Sequence, residues 1–143
     1  MRAGVVDTGV FVAGIYWRNE PHLVIRAVAL GLLQPVLTEP VFDEFVRALW
    51  RLREREGLTP EPTPWLETVQ TTATWVSPVT MRESVCRDHK DDKFLEAALG
   101  AECDLIVARD QDLTVLEKPF GISILTPRGF LAALSRAERR RLA

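Results

Sequence analysis

Short apolar runs alternate along the chain with longer segments in which apolar residues recur at helical spacing. Short runs bounded by turn-forming residues are typical of buried strands. The sequence LIV at 105–107 is one example, since it stands between Asp104 and the polar stretch ARDQD. Runs of this kind predict strands at about 4–6, 34–38, 74–79, 105–107 and 122–126.

The segments between these runs predict helices, because their ends carry suitable start and stop residues. Three prolines in LTPEPTP predict a loop at 58–64. Pro21 suits the first position of a helix, Thr38 and Thr63 are N-cap candidates, and Gly57 is a stop signal. The predicted helices cover 10–14, 21–33, 39–56, 64–73, a segment from Asp91 or Asp92 to Gly100, and one that begins at Thr126 and Pro127 and continues through the arginines at 136–141.

Strands that alternate with helices predict a parallel sheet covered on both faces. Because crossovers between parallel strands are right-handed, the expected fold is of the α/β class, a three-layer α/β/α sandwich with a central parallel sheet. A chain of 143 residues is long enough for a hydrophobic core, and no repeat or change of composition divides it. We therefore expect one domain spanning residues 1–143.

Composition narrows the functional classes. The chain is 47% apolar and 27% charged, as is ordinary for a globular protein. No run approaches the roughly 20 apolar residues of a membrane span, and the N-terminus lacks a signal-peptide layout, so we expect a cytoplasmic protein without a membrane partner. Cys86 and Cys103 lack CxxC or Cys/His spacing, so neither a zinc site nor a disulfide framework is indicated.

Acidic residues stand at one predicted edge of the sheet. Asp7 follows the first strand, while Asp110 and Asp112 follow the fourth. Asp92 opens the helix that leads into the fourth strand, and Glu44 lies about 9 Å along its helix from the end of the second strand. Sites in open parallel sheets form outside the carboxyl ends of the strands, so these acids are expected to converge. Taken singly, each is equally explained as a helix cap, a loop residue or the partner of a nearby arginine.

Clustered carboxylates repel one another, so they need either protons or a cation. Carboxylate oxygens suit Mg²⁺ or Mn²⁺, which activate water and neutralise charge on a phosphoryl group. The chain has neither a GxxxxGK[ST] phosphate loop nor a GxSxG elbow. Metal-assisted phosphodiester hydrolysis therefore fits the residues better than nucleotide binding or acyl transfer. The helical pattern does not choose between Asp43 and Glu44, which lie on opposite sides of an apolar stripe.

Four segments resemble, in order and spacing, the motifs of PIN domains, and most closely those of the VapC-like toxins of toxin–antitoxin systems. The resemblance extends from residue 4 to about 127. It implies an α/β/α sandwich and an Mg²⁺- or Mn²⁺-dependent endoribonuclease that forms a homodimer and is inhibited by a small cognate antitoxin. The segments are VVDTGVFVAG (5–14), VLTEPVFDEFVRAL (36–49), DDKFLEAAL (91–99) and LIVARDQDL (105–113).

By motif position, the resemblance implies that the catalytic acids are Asp7, Glu44, Asp92 and Asp110. The metal ligands that it implies are Asp7, Asp92, Asp110 and the nearby Asp112. Asp92 is preferred to its neighbour Asp91, because the apolar residues that follow then match the motif.

Two positions depart from the family's pattern, since Gly9 and Ala108 replace residues that usually orient the ligands. Thr8 retains a hydroxyl in a supporting position. The alternative interpretation is therefore a catalytically weak PIN-like protein that binds RNA or an antitoxin. A phosphohydrolase ranks last, because such sites generally need a DxD arrangement or a nearby lysine after the first strand, and the residue two positions after Asp7 is Gly9. Arginines that would steer the RNA backbone are Arg51, Arg55, Arg139 and Arg140, although arginine clusters are as typical of solvated helix faces.

Overall fold

The computed structural model describes residues 2–58 and 61–143. Within these ranges, five parallel strands form one sheet in the order β3-β2-β1-β4-β5. The sheet and its covering helices confirm the predicted α/β/α sandwich. The strands are β1 (Arg2–Val6), β2 (Leu33–Leu37), β3 (Thr74–Trp75), β4 (Leu105–Val107) and β5 (Ser123–Leu125).

Eight helices connect or flank the strands in the described part of the chain, together with short 3-10 turns at His89–Asp91 and Pro119–Gly121. None of these helices is both long enough and apolar enough to span a bilayer. The helices are α1 (Thr8–Tyr16), α2 (Glu20–Ala29), α3 (Glu39–Glu56), α4 (Thr63–Thr72), α5 (Asp92–Ala101), α6 (Gln111–Thr114), α7 (Pro127–Ala133) and α8 (Arg136–Leu142).

The predicted capping of α3 is confirmed at both ends. The hydroxyl of Thr38 accepts a hydrogen bond from the backbone N–H of Val41, and Gly57 ends the helix in the left-handed conformation. The helix predicted after the first strand is also present, but it is longer than 10–14 because Asp7 caps it from outside. The loop predicted at 58–64 includes Thr59 and Pro60, which lie outside the described residues.

Four predicted helix ends are wrong. The helix predicted to run to residue 33 ends at Ala29, and Leu33 already belongs to β2. Pro62 rather than Thr63 precedes α4 as its cap residue, since Thr63 already belongs to the helix. The predicted C-terminal helix is two helices, because Leu134 is extended and Ser135 caps α8 with a reciprocal pair of hydrogen bonds to Glu138.

Gly100 does not close α5, which continues to Ala101 and ends at Glu102 in the left-handed conformation. The glycine is required for a different reason, since a Cβ atom at position 100 would overlap the carbonyl oxygen of Ser77.

The strand order places the site. β1 is central, and it pairs with β2 on one side and β4 on the other. The chain therefore winds outward from β1 in both directions, and the order reverses between β1 and β4. Crevices form at the carboxyl ends of the strands at such a reversal.

The hydrophobic core extends through the sheet and its helices. Strand β4 is wholly buried, as is the second half of β1. The rings of Phe11 in α1 and Phe45 in α3 stack with centroids 4.2 Å apart and an interplanar angle of 12°. This stacked pair fixes α1 against α3, so that polar residues on the two helices, Thr8 and Glu44, meet at the edge of the sheet.

Candidate active site

Asp7 joins the two central strands at their carboxyl ends. Its Oδ1 atom accepts the backbone N–H of Val10 at 2.8 Å, which caps α1. Its Oδ2 atom accepts the backbone N–H groups of Arg109 and Asp110 at 3.1 and 3.3 Å. The side chain is 2% exposed, and burial raises its pKa to about 6 although these N–H donors favour the ionised form. The carboxylate of Asp7 is therefore already fixed in orientation, and a nearby cation would favour its ionised form.

Three further carboxylates form a cluster beside Asp7. Asp91, Asp110 and Asp112 each offer an oxygen atom, and these atoms lie within 4.8 Å of one another. Asp110 caps α6 by accepting the backbone N–H of Asp112 at 2.9 Å. Burial and repulsion from Asp110 and Asp88 raise the pKa of Asp91 to about 7. The negative charges of this cluster therefore repel one another, and Asp91 is the carboxylate whose ionisation they oppose.

Asp92, a ligand expected from the sequence, is not one of the three acids whose oxygens meet in this cluster. Its Oδ1 atom accepts the backbone N–H groups of Val85 and Cys86 at 3.2 and 2.9 Å. Burial opposes its ionisation, but hydrogen bonds from Ser84, Cys86 and Val85 lower its pKa overall. The residue that precedes it, Asp91, lies in the cluster instead. The motif spacing favours Asp92, but Asp92 fixes the segment before α5 through its bonds to residues 85 and 86. The sequence pattern contains no signal of these bonds.

Glu44 reaches the same edge from α3, which resolves the choice between it and Asp43. The hydroxyl of Thr8 donates a hydrogen bond to its Oε2 atom. The ammonium group of Lys93 lies 2.6 Å from its Oε1 atom, and both side chains are largely buried. Lys93 was not among the predicted site residues, although its position next to the predicted ligand Asp92 was an available signal.

Asp112 is held by a second cation. Nε and Nη2 of Arg87 each donate a hydrogen bond to one of its carboxylate oxygens, both at 2.9 Å. Arg87 is largely exposed, and Asp112 raises the pKa of its guanidinium. Asp112 therefore has a partner that a metal ion would have to share or displace.

These side chains surround an open basin of about 450 Å³. A Cβ atom at Gly9 would lie 3.7 Å from Oδ1 of Asp7, its nearest contact, so the basin has room for a side chain there. Ala108 is completely buried and does not line the basin, so its departure from the family pattern leaves the basin wall unchanged. The lining residues are Asp7, Thr8, Gly9, Glu44, Asp91, Phe94, Arg109 and Asp110.

The predicted RNA-binding arginines fall into two groups. Arg51 and Arg55 line a groove between α1 and α3 that adjoins the basin. Arg139 and Arg140 lie on α8, which packs against α2, and they line neither the basin nor this groove. Two of the four predicted arginines therefore line the groove that adjoins the basin.

The donor set of the basin suits a hard divalent cation. The oxygen atoms that could ligate such an ion belong to Asp91, Asp110 and Asp112, and the carboxylate of Asp7 lines the same basin. Mg²⁺ and Mn²⁺ are bound in this way, through a few carboxylates and several waters. A cation would also remove the repulsion that raises the pKa of Asp91.

Comparison with known proteins adds one positive finding. A family model described as a PIN domain matches residues 4–112, from β1 to α6. The matched range contains every acid that lines or adjoins the basin. No curated protein matches the chain.

Proposed function

The chain belongs to the PIN domain family, whose members are in general nucleases that use divalent metals, and from this premise we propose that it is a metal-dependent endoribonuclease. The observation that carries the proposal is the convergence of Asp91, Asp110 and Asp112 beside the buried Asp7. A basin of carboxylates at the switch point of a parallel sheet is suited to hydrolysis of a phosphodiester bond.

Asp7, Asp91 and Asp110 would hold the metal ion, and Asp112 would contribute once Arg87 shares it. When bound, Mg²⁺ or Mn²⁺ supplies an activated water and neutralises charge on the phosphoryl group. The three backbone N–H groups on Asp7 fix the orientation of its carboxylate, so the site is preorganised. This proposal replaces the predicted ligand Asp92 with Asp91.

Glu44 orients the attacking water in this mechanism. Its carboxylate is fixed by Thr8 and Lys93, so that its remaining lone pairs point in defined directions. Lys93 acts through Glu44 and is a positioning residue. Arg109 is one of the residues that line the basin, and its guanidinium would contact a phosphate of the substrate.

The narrower proposal is that the protein is the toxin of a toxin–antitoxin pair. It rests on the four motifs that resemble those of VapC-like toxins, and it includes a small cognate antitoxin as inhibitor, RNA as substrate, a homodimer and one domain over residues 1–143. Co-purification of the chain with a small protein encoded beside it, together with relief of growth arrest by that protein, would support this assignment. Normal growth when the chain is expressed alone would count against it.

A catalytically weak binding protein is the second candidate. It is favoured by the internal cations, because Lys93 already neutralises Glu44 and Arg87 already neutralises Asp112. On this alternative the acids need no metal ion to be stable. RNA or antitoxin binding without cleavage at millimolar Mn²⁺ would favour it.

The two candidates separate in a cleavage assay on a mixed RNA pool. We expect products with Mn²⁺ and none with EDTA or with Asp7→Asn. The variant Glu44→Gln should also lose activity. The matched control is Asp43→Asn, which should remain active because Asp43 is exposed and does not line the basin. Equal cleavage in all reactions, including EDTA, would refute the proposed nuclease.

A further inference from the structure

An open groove of about 430 Å³ runs between α1 and α3 beside the acidic basin. Groove and basin share Thr8, Gly9 and Glu44, so they form one continuous surface. Away from the shared residues, the groove is lined by Trp17, Arg51 and Arg55, among others. The surface therefore changes from acidic to basic and aromatic along its length.

The groove follows from the residue pattern of α3. Glu44, Ala48, Arg51 and Arg55 recur at helical spacing, so they lie along one face of the helix. Ala48 and the facing residue Ala13 of α1 are small, which leaves depth between the helices. Arg55 also contacts Glu56 at 3.2 Å, but both side chains are exposed and such a pair is weak.

Trp17 is held at the mouth of this groove by its neighbour. Its ring meets that of Tyr16 edge to face, with centroids 6.0 Å apart and an interplanar angle of 70°. The hydroxyl of Tyr16 donates a hydrogen bond to the carbonyl oxygen of Leu49 in α3 at 3.1 Å. The indole of Trp17 is nevertheless 43% exposed. An anchored aromatic ring with an open surface is suited to stacking.

Charge determines what such a groove accepts. Without a metal ion, the acids of the basin repel the phosphates of a nucleic acid, so contacts outside the basin contribute most to binding. Arginines supply contacts to phosphates, and an exposed aromatic ring stacks on an unpaired base whatever its identity. The groove next to the basin offers both kinds of contact within one continuous surface.

We propose that this groove is a separate subsite for the substrate strand, in which one unpaired base stacks on Trp17 while Arg51 and Arg55 contact the phosphates between that base and the basin. The inference rests on the proposed ribonuclease function and adds a subsite to it. A base inside a duplex has both faces covered by its stacked neighbours, so the subsite selects strands that are unpaired at this position.

The test measures binding of a short, unstructured, labelled oligoribonucleotide in EDTA, where the proposed chemistry is silent. We expect Trp17→Ala to weaken binding by roughly 5- to 150-fold and Trp17→Phe to retain most of the affinity. The double variant Arg51→Ala/Arg55→Ala should lower the slope of log K against log salt by about 1.4. Trp75→Ala is the matched control, because Trp75 is 40% exposed but lies on the edge strand β3.

An abasic scan identifies the stacked nucleotide. We expect the wild-type protein to lose affinity when one particular position of the oligonucleotide lacks its base, and Trp17→Ala to be insensitive to the same change. Melting curves of each variant verify that the fold is intact. The inference is overturned if Trp17→Ala binds the oligonucleotide as tightly as the wild type does, or if a blunt duplex competes equally well, and the groove would then be left to a protein partner.

The subsite and the nuclease fail independently. Cleavage with Mn²⁺ that persists while Trp17→Ala leaves binding unchanged removes only the subsite. Binding that depends on Trp17, with no cleavage in any divalent metal, supports the subsite and removes the proposed catalysis.

Discussion

The ammonium group of Lys93 lies 2.6 Å from Oε1 of Glu44, so a cation at the start of α5 is paired with an acid of α3 at the rim of the basin. The two residues are 49 positions apart in the chain. Both side chains are largely buried, so the pair is shielded from salt and holds the two helices in register.

Removing the charge of Lys93 tests its positioning role. We expect Lys93→Met to lower kcat by about 10- to 100-fold with a smaller change in KM, because Glu44 loses the partner that orients it. Lys93→Arg should restore part of the activity, since it retains the charge. Steady-state cleavage of an RNA substrate with Mn²⁺ is the measurement. Unchanged kcat in Lys93→Met would show that the pair is only structural.

Asp91 and Asp92 should give opposite phenotypes when each is replaced by Ala. Asp91→Ala is expected to weaken Mn²⁺ binding and abolish cleavage while the fold remains stable, because a repelled carboxylate is removed. Asp92→Ala leaves the N–H groups of Val85 and Cys86 without their acceptor and should cost about 1–3 kcal/mol of stability.

Chemical denaturation and Mn²⁺ titration of both variants measure these effects. If Asp92→Ala loses metal binding at full stability and Asp91→Ala does not, the ligand assignment made from the structure is incorrect and the motif-based one is restored.

Stability without metal should fall as the pH rises through the range in which Asp7 titrates. Its folded-state pKa is about 6, against an ordinary aspartate value of 3.8, so the folded protein retains a proton that the unfolded chain has lost. Stability is therefore full below 3.8 and declines by about 3 kcal/mol as the pH reaches the folded value. The pKa of Asp91 is also raised, to about 7, so its ionisation lowers stability in the same direction and extends the decline to about pH 7.

A divalent ion should reverse this decline, because it binds the ionised carboxylates of the folded state. Melting temperatures in EDTA and in Mn²⁺, at about pH 5 and about pH 7.5, provide the comparison. We expect the stabilisation by Mn²⁺ to be larger at the higher pH, and Asp7→Asn to reduce the difference. Equal stabilisation at both pH values would contradict the linkage.

Two helical glycines should respond oppositely to Ala. Gly9→Ala is expected to raise stability by about 0.5–1 kcal/mol, because its Cβ has room and the unfolded chain loses conformational freedom. Gly100→Ala should lower stability by about 1–3 kcal/mol, since its Cβ would overlap the carbonyl oxygen of Ser77. Urea denaturation of the pair measures both effects. Destabilisation by Gly9→Ala would mean that the basin has no room beside Asp7.

Most of the fold follows from the sequence because its signals are local. Thr38 and Gly57 mark the ends of α3 through capping, and apolar runs mark the strands. The placement of Asp7 and Asp110 at the same edge of the sheet follows from the parallel order of the strands. Their direct contact depends in addition on the pairing of β1 with β4, which the sequence does not give.

The remaining features depend on contacts between distant segments. Whether Asp91 or Asp92 faces the basin is decided by the backbone N–H groups of residues 85 and 86, which local patterns do not place. The pairing of Lys93 with Glu44 likewise depends on how α5 packs against α3.

The most direct test of the metal site is anomalous diffraction from a crystal soaked in Mn²⁺. We expect a strong anomalous peak in the basin, within coordinating distance of carboxylate oxygens of Asp91 and Asp110, with Asp7 on the same ion or bound through a water. A fully occupied Mn²⁺ elsewhere on the protein, with an empty basin in crystals of active enzyme, would contradict this expectation.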